Sequence, residues 1–319
     1  MSMSLDTPAP APATLRATRP FYWSVRRELW ESRSIYLAPM VVAGILLVGF
    51  LIALGHSGGG SMHWTSGDQN QTGVVGHAEV ESGHHNRTVS PAFLAALPFE
   101  IMAGAVAITG VIVGLFYCLG ALFNERRDRS ILFWKSLPVS NRVSVLAKAA
   151  VPMLVIPAVV FVVVTVAQFA TMLIGLIGLT LHSQDPTILW RVLPFGEGSL
   201  VLIYGLVALS LWYAPVYAWF LLVSAWSKNM TFLWAVAPPL VLALFERVAI
   251  STSYVGGLIK YRITGAAAAA FRPSQGSHLE LANIDLAGFL ATPGLWLGLI
   301  AAALMLAAVV WLRRRREPI

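Results

Sequence analysis

Residues 99–123 read FEIMAGAVAITGVIVGLFYCLGALF, with no charged residue after Glu100. A helix of 25 residues rises about 37 Å, enough to cross the roughly 30 Å hydrocarbon core of a bilayer. In lipid every backbone polar group must be satisfied internally, so only helices and closed barrels span it. The apolar residues here follow one another without the in/out alternation of a barrel strand, so the stretch is read as a transmembrane helix. Five more runs share this character: Tyr36–Leu54, Ala149–Leu181, Leu200–Trp226, Met230–Ile250 and Leu286–Leu312. Only Ser227, Lys228 and Asn229 separate the fourth span from the fifth. The expected fold class is therefore all-α: a polytopic membrane protein of about six transmembrane helices.

Composition agrees with that reading. Of 319 residues, 57% are hydrophobic and 12% charged, and the mean hydropathy is +0.72. Soluble domains carry about 25% charged residues; half as many cannot cover a globule in water. The net charge of +7 does not indicate a nucleic-acid partner, because the basic residues flank the apolar runs as membrane topology requires. The single cysteine, Cys118, excludes an intrachain disulfide and a cysteine metal cluster.

Lysine and arginine set the orientation. Arg16, Arg19, Arg26, Arg27 and Arg33 precede the first span, and Arg126, Arg127, Arg129, Lys135, Arg142 and Lys148 fall between the second and third. Lys228 lies between the fourth and fifth, and Arg313 to Arg316 follow the sixth. The opposite side holds Arg87, Arg191, Arg247, Lys260, Arg262 and Arg272. The side with the excess is the cytoplasmic one, which places both termini in the cytoplasm.

The chain then divides as follows. Residues 1–20 are a disordered cytoplasmic tail without the apolar core of a signal peptide. Residues 21–35 form an interfacial helix, with Phe21, Val25 and Leu29 on one arc and Ser24, Arg27, Glu28 and Glu31 on the other. Its arginines can snorkel to anionic head groups; an ordinary basic flank of a span is the plainer alternative. Residues 36–312 are the six-span domain, with outer loops 55–98, 182–199 and 251–285 and a cytoplasmic loop 124–148. In the last outer loop the run Gly265 to Ala270 suits a short helix at or dipping into the outer surface. Residues 313–319 are a basic cytoplasmic tail.

The cytoplasmic loop, NERRDRSILFWKSLPVSNRVSVLAK over residues 124–148, is the most informative segment. Ile131, Trp134 and Leu137 are three apart and can share a helical face. Pro138 stops that helix, and Ser140 can cap the helix that becomes span three. Exposed aromatic residues there call for a partner protein or for burial in the membrane interface, and physics alone leaves both open.

The segment resembles the permease subunits of ABC-2 type ABC transporters. The resemblance rests on Glu125-Arg126 after span two, the apolar stretch Ile131 to Leu137, Pro138-Val139-Ser140, Arg142 and Lys148, and on the six-span layout. Asp128-Arg129-Ser130 stands where many members have a Gly-Thr pair, and loop 55–98 is longer than in the barest members. The resemblance implies that residues 124–141 contain a coupling helix that docks on a cytoplasmic ATPase subunit. Phe133, Trp134 and Leu137 would then be buried anchors and Arg126, Arg127 and Arg129 the charged rim, with Glu125 and Pro138 in the same interface. It also implies a bacterial-type inner membrane and a second permease copy, as a homodimer.

The absences fit a subunit that does no covalent chemistry. The phosphate-cradling G-x-x-x-x-G-K-[ST] pattern does not occur, so ATP and Mg²⁺ are expected on the separate ATPase chain. No catalytic residues are assigned. Span four carries Trp212, Tyr213, Tyr217 and Pro215, and span five Pro238-Pro239; prolines free backbone carbonyls, so these residues are candidates for a pathway or hinge. An interior without buried charge favours an amphipathic or apolar substrate, exported. Two other readings stay open: a membrane assembly protein using its outer loops, or a metal site in the histidine-rich 56–85 loop. For the latter His77, His84 and His85 are the candidates, although their spacing matches no closed motif.

Overall fold

A computed structural model describes residues 20–56, 91–128, 140–181, 195–272 and 281–315. Among these there is no β-strand beyond one isolated antiparallel bridge, Phe271 with Ile284. Six helices are long and apolar enough to cross a membrane, so the chain is an all-α polytopic membrane protein. The helices are α1 (Pro20–Glu31), α2 (Ser34–His56), α3 (Pro91–Ala121), α4 (Phe123–Arg127), α5 (Asn141–Ala150) and α6 (Ile156–Leu181). After them come α7 (Phe195–Trp226), α8 (Thr231–Phe245), α9 (Tyr254–Ala270), α10 (Leu286–Ala291) and α11 (Pro293–Arg315).

Span three differs most from its sequence boundaries. A π-helical turn, Val151–Val155, joins α5 to α6, giving one continuous helix from Asn141 to Leu181. It begins at the cap expected from sequence: Ser140 is extended, and its hydroxyl accepts the Val143 N–H at 3.3 Å. The hydropathy of this first part is diluted by Arg142 and Lys148, which is why the apolar run started only at Ala149. Span six is split instead of extended. Thr292 is extended and separates α10 from α11, because Pro293 removes a donor and disfavours helix in the residue before it. The last helix then continues through Arg313, Arg314 and Arg315.

The centre of the bundle is α3, α6 and α7, with α2 packed on α3 and α6, and α11 lying along α7. Two glycines permit the central contact. A Cβ on Gly110 would stand 2.6 Å from Val160 Cγ2, and one on Gly114 would meet the Tyr217 ring at 3.1 Å. This is close approach through small residues, the usual way membrane helices pack without a hydrophobic drive between them. Span five is attached more loosely: along α8 only Thr231 and Ala235 are buried. Its prolines leave carbonyls without an intrahelical donor. Pro239 frees the Ala235 carbonyl four residues back, and the Trp219 indole N–H of α7 donates to that oxygen at 3.0 Å.

The segment between spans five and six holds α9, whose second half includes the Gly265 to Ala270 run. It runs antiparallel to α7: the Trp212 indole donates to Arg262 O at 2.9 Å, the Tyr213 hydroxyl to Ile263 O at 2.7 Å, and the Tyr204 hydroxyl to Ala270 O at 2.9 Å. Ala266 and Ala270 are buried beside Ala208, Trp212, Phe289 and Leu295 in a second small core.

Candidate functional site

At the end of the bundle where α1, α4, α5 and α11 meet, four charged side chains are withdrawn from solvent. Glu28 is 6% exposed, Glu125 7%, Lys148 2% and Arg313 7%. The Lys148 ammonium lies 2.8 Å from Glu28 Oε1 and 3.1 Å from Glu125 Oε1. The other Glu125 oxygen is 3.0 Å from Arg313 Nη1. The Tyr117 hydroxyl of α3 donates to Glu28 Oε2 at 2.7 Å, and Arg27 approaches Glu125 at 3.9 Å from the rim. Two carboxylates and two cations balance, which is what makes burial tolerable: a single unpaired charge in such a place costs several kcal/mol.

A second knot sits beside the first. The Ser224 hydroxyl of α7 accepts the N–H groups of Leu122 (3.2 Å) and Phe123 (3.0 Å) and donates to Leu119 O at 2.7 Å. It inserts into the α3 hydrogen-bond ladder where α3 gives way to α4, a recognised cause of a helix break. Arg126 then reaches across to the last turn of α7, donating to Ser224 O at 2.7 Å and Ser227 O at 2.6 Å. A cation on terminal helix carbonyls is favourable.

The two knots frame one segment. Residues 129–139 lie outside the described residues, but the chain enters them from α4 and leaves them through α5. Glu125 and Arg126 hold the entry and Lys148 the exit. Of the residues assigned to a partner interface, Arg127 is exposed. Glu125 and Arg126 are instead turned inward, so any partner contact at these two would have to displace intramolecular bonds. Arg129, Phe133, Trp134, Leu137 and Pro138 fall outside the described residues, as do His77, His84 and His85. Among the described residues no group of three or more His, Cys, Asp or Glu could hold a metal ion.

The expectation of an interior without buried charge is corrected by this cluster. Sequence reading also placed Glu28 on the solvent arc of the first helix and Arg313 in a basic tail. Glu28 instead faces the bundle beside Leu29, which packs on the core, while Tyr22, Trp23 and Trp30 are 55%, 55% and 75% exposed. Tyr117, Ser224 and Arg313 were not singled out. The available signal was charge of both signs near span ends on one side of the membrane, which in a low-dielectric bundle must pair.

The candidate pathway residues separate into different surroundings. Trp212 and Tyr213 belong to the contact with α9, and Trp212 is 0% exposed. Pro215 is buried, and Pro238 is exposed on α8, with Pro239 partly buried behind it. Tyr217 lines an apolar cavity of about 170 Å³ between span three, α7 and α11, walled also by Met153, Ala214, Ala218, Ala302 and Leu306. Ligand pockets for drug-sized molecules run from about 300 Å³ upward, so this cavity holds a few methylenes at most. No protein-family model, curated protein or solved structure matches the chain.

Proposed function

We propose that this chain is the membrane-spanning permease subunit of an ATP-driven transporter of the ABC-2 kind, driven through residues 124–141 by a separate ATPase subunit. The observation that carries the reading is the pair of knots at the roots of residues 129–139. A force applied to that segment acts at once on α4 and α5, and through Glu28, Arg313, Ser224 and Ser227 on α1, α11 and α7. A coupling element needs that kind of linkage, because a loop tethered by flexible ends would absorb the displacement. Two copies would form the path, with ATP and Mg²⁺ on the partner subunits and both termini on the cytoplasmic side of a bacterial-type inner membrane. Substrate movement, as export, is assigned to repacking of the spans and no covalent step to this chain.

The test is copurification. The full chain should bring down an ATP-hydrolysing subunit, and Trp134→Ala with Leu137→Ala should release it while leaving the chain folded. Undiminished ATPase binding by the double variant would remove the coupling assignment. Absence of any ATPase from the wild-type preparation would favour an assembly protein.

A further inference from the structure

Arg262, on α9, is a cation that the proposed coupling does not use. Its Nη1 donates to Trp212 O and its Nη2 to Gly294 O, both at 3.1 Å, and its guanidinium lies 4.9 Å from the centre of the Trp212 ring. The seat is shaped for this side chain. A Cβ on Gly298 of α11 would collide with Arg262 Nη2, and one on Gly294 with the Tyr261 hydroxyl. Two of the five guanidinium N–H groups are used on carbonyls, and three remain.

The charge has no carboxylate partner among the described residues. The nearest described acidic groups on either side along the chain are engaged elsewhere. Glu246 accepts the N–H groups of Tyr254 and Val255 and the Thr252 hydroxyl, and Asp285 pairs with Arg272 at 3.3 Å. Arg247, in the π-helical turn Glu246–Ile250 that follows α8, and Lys260 of α9 are both exposed, add positive charge and form no described ion pair.

The level of the site is fixed by α11. Gly294 opens that helix and Arg313, in the buried charge cluster, nearly closes it. The step of nineteen residues from Gly294 to Arg313 rises about 28 Å, and that from Gly298, which also meets the guanidinium, about 22 Å. Arg262 therefore lies toward the end of the bundle opposite the cluster. Apolar side chains flank it: Leu258, one turn back on α9, is 66% exposed, and Leu297 of α11 is 67% exposed.

We infer that Arg262 is a binding point for the anionic head, phosphate or carboxylate, of a lipid-like amphiphile in the leaflet distal to the charge cluster, whose tail lies along Leu258 and Leu297. Arginine forks match such heads in a bidentate manner, and beside its two carbonyls and the Trp212 ring the guanidinium keeps three N–H groups for one. The inference does not depend on an ATPase partner.

Native mass spectrometry of the full purified chain tests it, with phosphatidylglycerol as the anionic probe and phosphatidylcholine as the neutral one. The wild type should retain one more phosphatidylglycerol per chain than Arg262→Gln, with at least a tenfold preference over phosphatidylcholine at that position. Arg262→Lys, which keeps the charge, should retain the extra lipid within about threefold. Equal retention by wild type and Arg262→Gln would overturn the inference. Should Arg262→Gln fail to fold, competition on the wild type alone decides. Displacement of every phosphatidylglycerol by phosphatidylcholine at equal concentration, or by millimolar inorganic phosphate, would overturn it; resistance to both supports it.

Discussion

Lys148 shows how much rests on single residues in this bundle. It is 2% exposed and bridges Glu28 to Glu125. Replacing one partner of a buried ion pair leaves the other charge stranded, at a cost of about 3–5 kcal/mol. Lys148→Met is expected to lower the unfolding midpoint in detergent accordingly. Adding Glu28→Gln should recover part of the loss, because the two residues share one interaction and their effects are not additive. Additive losses measured by thermal unfolding would show that the ion pair is not the origin. At the other end of the protein, Asp285 caps α10 by accepting the Gly288 N–H at 3.0 Å. The Arg272 hydrogen bond first, and the Gly288 N–H next, hold its carboxyl below the usual carboxylate range. A depressed folded-state value means that the stabilisation is complete above the unfolded value of about 3.9 and is lost as pH falls below it. Protection of the α10 amides, measured as hydrogen exchange relative to the intrinsic rate at each pH, should therefore fall below about pH 4, and Asp285→Asn should remove that pH dependence.

At the scale of elements, two local features make opposite predictions. Gly110 sits where α3 crosses α6, and any larger side chain must displace Val160. Gly110→Leu is expected to destabilise by about 1–3 kcal/mol through overpacking. Met230, in the turn between α7 and α8, has φ 50° and its side chain is 73% exposed. A non-glycine residue in that left-handed region costs about 1–2 kcal/mol. Met230→Gly removes the strain without losing packing and should raise the thermal midpoint; an unchanged or lower midpoint would show that the turn is not strained. The first helix makes a different point. Its pattern of apolar and polar arcs was visible in sequence, but that Glu28 of the polar arc would be buried was not. Glu28 turned inward because Lys148 and Tyr117 offered it partners, and Trp23 and Trp30 stayed outside with Arg26 over both rings, at 5.2 and 5.4 Å.

For the whole molecule the useful handle is topology. Cys118 is 0% exposed, so single cysteines can be introduced elsewhere against a silent background. Ala13→Cys and Glu317→Cys are expected to be shielded from an impermeant maleimide applied outside intact cells, and Ser183→Cys to react. Labelling of all three, or of either terminal position alone, would contradict a shared cytoplasmic location for the ends. The geometry already ties the two ends of the chain together: α1 and the last turn of α11 both reach Glu125.

The spans and their number were legible in residues such as 99–123, because crossing a hydrocarbon layer demands long uncharged helices whatever surrounds them. The Ser140 cap and the stop at Pro293 are equally local, each set by one side chain and its nearest backbone, although the latter was read only once α10 and α11 were seen apart. The charge cluster was not local. Glu28 and Lys148 are 120 residues apart in the chain, and Arg126 meets the end of α7 across about a hundred. Each of these residues, taken alone, reads as an ordinary solvated flank of a span. Only the packing of α1, α4, α5, α7 and α11 at one end withdrew them from water, and in that low dielectric pairing became obligatory.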